Sequence, residues 1–224
     1  MYLIEESDPV ISNCHFHSNS TQGSGGAINI NEGSDPHVHH SFFTSNNSGA
    51  GGAIYIRAEG TSPLIEWCEF NQNSANIEAR VGGALYIRGQ AEPEIRYNRI
   101  SQNNADFGGG FYVKEHPHCS IHHNLFLKNG ATTGGGAFGT SNDLGETPLV
   151  LTSNTFFGNL ETGLDVVANL GFIREGANVV INSSIIWGEV PHFSGGGGIE
   201  VRYSNLKYEY EGEENRQDLS LIHI

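Results

Sequence analysis

An all-β chain wound as a single-stranded right-handed parallel β-helix of about seven to eight rungs is predicted by three features: a repeat, an alternation and a composition. The repeat has a period of about 26 to 31 residues. Phe16, Phe43, Phe70, Ile100, Phe126 and Phe156 recur at that spacing, and three residues after each stands Asn19, Asn46, Asn73, Asn103, Asn129 or Asn159. The alternation lies in the Gly-rich stretch that follows each copy, at residues 25–30, 51–56, 82–87 and 108–113, with a looser copy at 134–138. The composition holds 30 Gly and one Met in 224 residues, with only 37% hydrophobic residues. Such a chain makes many tight turns and has too little apolar bulk for a conventional layered core.

Within the Gly-rich strands, Ile28 and Ile30, Ile54 and Ile56, Leu85 and Ile87, and Phe111 and Val113 share one side, because successive side chains of a strand point to opposite faces. A second short strand runs upstream of each aromatic residue, as in Pro63 to Phe70, and ends at a tight corner. Neither strand closes a core alone, but stacked copies bury a continuous one. Two residues before each aromatic, the corner carries Cys14, Ser41, Cys68, Asn98, Asn124 and Asn154. Stacked amides hydrogen-bond along the stacking axis, so Asn98, Asn124 and Asn154 read as one inward ladder and the Asn19 to Asn159 series as a second. Their expected role is structural.

The Gly-Gly-Ala-Ile and Phe-x-x-Asn motifs resemble those of right-handed parallel β-helix repeat proteins with a pectin-lyase-like fold. They also look like the repeats of polymorphic outer-membrane autotransporter passengers. The resemblance covers roughly residues 1–205. It implies the fold and leaves the activity open, since that fold hosts lyases, hydrolases, adhesins and tailspikes.

The domain is expected to span residues 1–210, followed by an acidic closing segment at 211–218. Residues 1–9 align without a gap against 28–36, which places Met1 inside a rung and implies missing N-terminal sequence, a signal peptide included. Residues 219–224, Leu-Ser-Leu-Ile-His-Ile, resemble the translation of a sequencing-library adapter and are set aside from the fold.

The formal net charge of −14 argues against nucleic acid and anionic membrane as partners, since both need a basic field. No apolar run approaches the roughly 18 residues that cross a bilayer. Cys14 and Cys68 fall at one ladder position two rungs apart, about 9 to 10 Å by strand spacing, beyond the Cα separation of about 4.4–6.8 Å that a disulfide accepts. Both are expected to be reduced and buried. His15, His17, His37, His39 and His40 form one group and His116, His118, His122 and His123 another. No zinc-binding spacing accompanies them, so they read as turn and surface residues; no metal and no cofactor is implied.

Opposite the inward Ile positions, the Gly-rich strands carry Tyr2, Asn29, Tyr55, Tyr86 and Tyr112, with Arg57, Arg88 and Lys114 two residues beyond the last three. Read as an exposed stripe, the column of Tyr55, Tyr86 and Tyr112 beside three of the 11 basic residues suits an acidic polysaccharide or cell-surface glycan, the rings stacking on sugars and the cations meeting carboxylates. The structural alternative is that Tyr suits strands and edge cations discourage association. Catalysis has no visible machinery, since neither paired carboxylates nor a positioned base accompanies the stripe. The reading is a noncatalytic, exported bacterial surface or adhesin-type module, secreted or displayed at the cell surface. The alternative is a truncated polysaccharide lyase or glycoside hydrolase.

Overall fold

A computed structural model describes residues 1–77, 79–115, 118–144, 147–161, 169–187 and 192–206, and all of its regular structure is strand. The strands stack in four parallel sheets that wind around a common axis. The Gly-strand sheet holds Tyr2–Leu3, Ile28–Ile30, Ile54–Arg57, Leu85–Arg88, Phe111–Lys114, Phe138–Thr140, Asn169–Phe172 and His192–Ser194. The Pro-strand sheet holds Val10–Ser12, His37–His39, Leu64–Glu66, Glu94–Arg96, Ser120–His122, Leu149–Thr152, Asn178–Asn182 and Gly198–Arg202. The Phe-strand sheet holds His15–His17, Phe42–Thr44, Glu69–Asn71, Arg99–Ser101, Leu125–Leu127, Thr155–Phe157, Ile185–Trp187 and Asn205–Leu206. A shorter sheet, of Asn47–Ser48, Ser74–Ala75, Asn104–Phe107, Gly130–Gly134 and Leu160–Glu161, lies between the Phe-strands and the next Gly-strands.

Register follows the repeat. Phe16 pairs with Phe43, Phe43 with Phe70, Phe70 with Ile100, Ile100 with Phe126 and Phe126 with Phe156. Their rings stack where both are aromatic, at 4.9 Å for Phe16 and Phe43 and 4.7 Å for Phe43 and Phe70. Phe16, first in this column, is only partly buried; the others are fully enclosed. Each large sheet adds an inward column to the same core, such as Ile54, Leu85 and Phe111, or Val38, Ile65 and Ile95. The paired glycines are needed where rungs meet most closely. A Cβ on Gly83 would stand 2.2 Å from the Gly109 carbonyl, and Gly82 before it has a φ of +66°, a region costly for residues with a Cβ.

Both corners of the Phe-strand use one device, a residue with positive φ followed by an inward polar side chain. At the first corner the left-handed residues include Asn13, His40, Trp67, Tyr97, His123 and Ser153, with φ of 50–56°. Each precedes an inward residue: Cys14, Ser41, Cys68, Asn98, Asn124 or Asn154. Asn98 donates from its backbone N–H and its Nδ2 to Asn124 Oδ1, and Asn124 does the same to Asn154. At the second corner the chain of amides runs from Asn19 through Asn46, Asn73, Asn103 and Asn129 to Asn159. Asn19, at the start of that chain, is exposed and the rest are buried.

All three cysteines are free. Burial pushes the Cys68 thiol up to about 12, so it stays protonated and packs as a small apolar group. Cys14 is only partly buried, a departure from the enclosed position expected of it, because its ladder neighbour Ser41 covers it on one side alone. His116 and residues 207–224, with all of the acidic closing segment and of the adapter-like tail, lie outside the described residues.

Candidate functional site

The tyrosine column expected on solvent is in register but covered. Tyr55 pairs with Tyr86 and Tyr86 with Tyr112, while relative exposures are 6%, 6% and 5%. The residues that cover them immediately precede the paired glycines: Ala50, Val81 and Phe107 bridge from rung to rung and pack on the phenol rings as a second apolar cluster. The tight glycine turn folds each of these back over the strand that follows it. Burial pushes all three phenols up, so they remain neutral, and their faces are closed to a sugar.

The cation column beside them is partly neutralised. Arg88 grips Glu115 through Nε at 3.0 Å and Nη2 at 2.5 Å, and Lys114 Nζ lies 3.4 Å from the same carboxylate. Burial pushes the Glu115 carboxyl up, but the hydrogen bond and charge of Arg88 outweigh it, holding Glu115 below the usual range. Arg57 remains exposed and lies close enough to Tyr55 to act on its phenol.

A different aromatic column is exposed. At the first corner, Trp67 and Tyr97 are 53% and 39% accessible, with ring centroids 4.6 Å apart and planes 12° from parallel. His40 extends this stack on one side, 6.4 Å from Trp67 and 17° from parallel, and His123 continues it on the other, 5.2 Å from Tyr97 and tilted by 38°. Because 6.4 Å exceeds the rung spacing of about 4.8 Å, His40 is offset sideways and leaves part of the indole face uncovered. Beside the column runs a shallow groove of about 400 Å³, lined by Trp67, Tyr97 and His123 together with Arg99, Leu125 and Thr155. Large side chains at positive φ are uncommon, and a run of them in consecutive rungs is held by mutual stacking.

The outer face of the Pro-strands adds a line of ion pairs leading to this corner. Glu66 accepts from Arg96 Nε at 2.8 Å and faces His37 Nε2 at 3.0 Å. Arg96 also donates to Glu94 at 2.6 Å, and Glu94 faces His122 Nε2 at 3.2 Å. The Arg96 guanidinium lies 5.9 Å from the Tyr97 ring centre, a cation–π contact at the foot of the column. Glu66, Glu94 and Arg96 are thus one network with His37 and His122.

The family described as right handed beta helix region matches residues 1–146 and 50–174, together spanning 1–174 of the 224 residues. The chain belongs to this right-handed β-helix family. No curated protein and no solved structure matches it. Among the described residues of this β-helix, no group of three or more His, Cys, Asp and Glu side chains converges as a metal centre, and no helix is long and apolar enough to cross a membrane.

Sequence reasoning placed the Asn ladders and the Tyr register but missed the corner column. The signal for it is one residue upstream of the first ladder: aligning Cys14 through Asn154 also aligns Asn13, His40, Trp67, Tyr97, His123 and Ser153.

The Glu66 network predicts an acid limb in stability. Burial pushes the Glu66 carboxyl up, but hydrogen bonds from Arg96 and His37 outweigh it, leaving the folded value below the ordinary 4.5. A depressed carboxyl contributes stability that is fully present above the unfolded value and is lost as the pH falls through the folded one. Wild type is therefore expected to exceed Glu66→Gln in urea midpoint at neutral pH, the gap closing below about pH 4.5. A gap that is constant from pH 7 to pH 3 contradicts the assignment.

Proposed function

We propose that this β-helix is a noncatalytic recognition module of a secreted or cell-surface protein, binding glycan chains along the corner column of His40, Trp67, Tyr97 and His123. The observation that carries the reading is an ordered, exposed aromatic stack beside an open groove, on an acidic scaffold whose other aromatic columns are buried. Aromatic rings with a polar edge offer sugars both an apolar face and a hydrogen-bonding rim, here the indole N–H and the Tyr97 hydroxyl. Polar walls, Arg99 and Thr155, complete a shallow site for a chain laid along the axis. A binding role suits this corner better than catalysis, because the carboxylates beside the column are paired with arginines, Glu66 and Glu94 with Arg96 and Glu69 with Arg99. The alternating charges of Glu66, Glu69, Glu94, Arg96 and Arg99 favour a neutral or weakly charged glycan over a polyanion.

Titration of a neutral glucan and of polygalacturonate tests this at low and moderate salt. The neutral chain is expected to bind with little salt dependence, and Trp67→Ala to weaken it about tenfold, the equivalent of one stacking contact near 1.4 kcal/mol. Arg57→Ser with Arg88→Ser is expected to leave binding unchanged. Preference for polygalacturonate, abolished by salt and by the Arg57 and Arg88 changes but not by Trp67→Ala, would instead assign the ligand to the cation column.

A further inference from the structure

We propose that two histidine pairs, His39 with His40 and His122 with His123, are binding sites for a divalent cation that favours imidazole in a square-planar field, copper(II) or nickel(II). The pairs occupy equivalent places in the repeat. His39 and His122 end their Pro-strands, and His40 and His123 are the left-handed corner residues that follow. This backbone geometry holds the Nδ1 atoms 2.9 Å apart in the first pair and 2.8 Å apart in the second. Imidazole nitrogens at about 2.0–2.1 Å from a metal lie about 2.9 Å apart when adjacent in a square plane and about 3.4 Å apart in a tetrahedron. The separation in both pairs matches the square-planar spacing.

The two Nδ1 atoms of each pair lie within hydrogen-bond distance, so with both rings neutral one Nδ1 carries a hydrogen donated to the other. The ring centroids are 5.2 and 5.1 Å apart with near-perpendicular planes. A cation takes the place of that hydrogen once the rings turn, without moving the backbone apart. The proton balance closes within the pair: the ring carrying hydrogen on Nδ1 transfers it to Nε2, both imidazoles stay neutral, and both Nδ1 lone pairs become ligands. The corner rings are exposed, so water completes the coordination. With two side-chain ligands each, the sites suit a tetragonal ion better than structural zinc, which requires four.

The pairs are not equal. His122 Nε2 lies 3.2 Å from Glu94 Oε1, an arrangement in which the carboxylate holds hydrogen on Nε2 and leaves Nδ1 free to bind. His39 lies instead against the His37 ring, with centroids 4.4 Å apart. The His122 and His123 site is therefore the tighter.

Copper(II) titrated into the intact protein at neutral pH, followed by calorimetry and electron paramagnetic resonance, reads this out. Two ions per chain with nitrogen coupling are expected. His40→Ala and His123→Ala should each remove one, and the double variant both. Glu94→Gln should weaken only the second site, by about 10- to 100-fold. Fluorescence gives an independent reading, because Trp67 is 6.4 Å from His40 and the chain has two tryptophans. In a Trp187→Phe background, copper should quench Trp67, and His40→Ala should abolish that quenching while thermal melts show the variant folded. Unchanged stoichiometry in the folded double variant would overturn the proposal and assign the metal to other histidines. Quenching that survives His40→Ala would overturn the first site.

Discussion

Phe70→Ala is expected to destabilise the protein by about 3–5 kcal/mol, read as a lower urea midpoint with little change in slope. Phe70 is fully buried, stacked 4.7 Å from Phe43 on one side and paired with Ile100 on the other. The cost falls at the upper end of core truncations because the site cannot collapse: the parallel ladders on both sides of each strand fix the distance between rungs, so the lost ring leaves a void. The matched control is Phe42→Ala in the neighbouring rung. Phe42 sits one residue before Phe43 on the outward side and is 51% exposed, so its loss is expected to fall within about 0.5 kcal/mol. Equal midpoints for the two variants would mean that the aromatic column is not the core.

What the sequence made legible was whatever repeats in every rung. The Phe-x-x-Asn spacing gave the register of the Phe-strands because each copy meets the same environment above and below, and alternation in the Gly-strands separated inward Ile54 and Ile56 from outward Tyr55. Alternation tells which way a side chain points and not what lies over it. Tyr55, Tyr86 and Tyr112 point outward from the core as expected, yet Ala50, Val81 and Phe107 cross above them from the preceding turn. That cover was visible only as a third apolar position before each Gly-Gly, which strand periodicity does not weigh. The corner column was harder still, since Asn13, His40, Trp67, Tyr97, His123 and Ser153 share a backbone conformation and no common chemistry. Their proximity is a consequence of stacking, and appears only once rungs are laid over one another.

The asparagine ladder carries the other large expected effect. Through its side chain and its backbone N–H, Asn103 makes five hydrogen bonds: the backbone N–H and Nδ2 donate to Asn129 Oδ1, Nδ2 also donates to the Phe70 carbonyl, and Oδ1 accepts from the backbone N–H and Nδ2 of Asn73. Asn103→Leu keeps the first of these and loses the rest. The Asn73 N–H is then left buried with no partner, the Phe70 carbonyl loses its side-chain donor, and Asn73 Nδ2 keeps only its bond to the Phe43 carbonyl. The orphaned donor costs about 1–3 kcal/mol and each of the other lost hydrogen bonds about 0.5–1.5 kcal/mol, so a loss of about 3 kcal/mol or more is expected even though leucine is the more hydrophobic side chain. A purely apolar account of the core predicts the opposite sign. Asn19→Leu separates the two, because Asn19 is exposed and only donates along the chain, to Asn46 Oδ1. No buried donor depends on it, and its replacement is expected to cost less than about 1 kcal/mol. A gain in stability for Asn103→Leu would show that the ladder specifies register without stabilising the rungs; a large loss beside a small one at Asn19 shows that satisfied amides hold the Phe-strand corner closed.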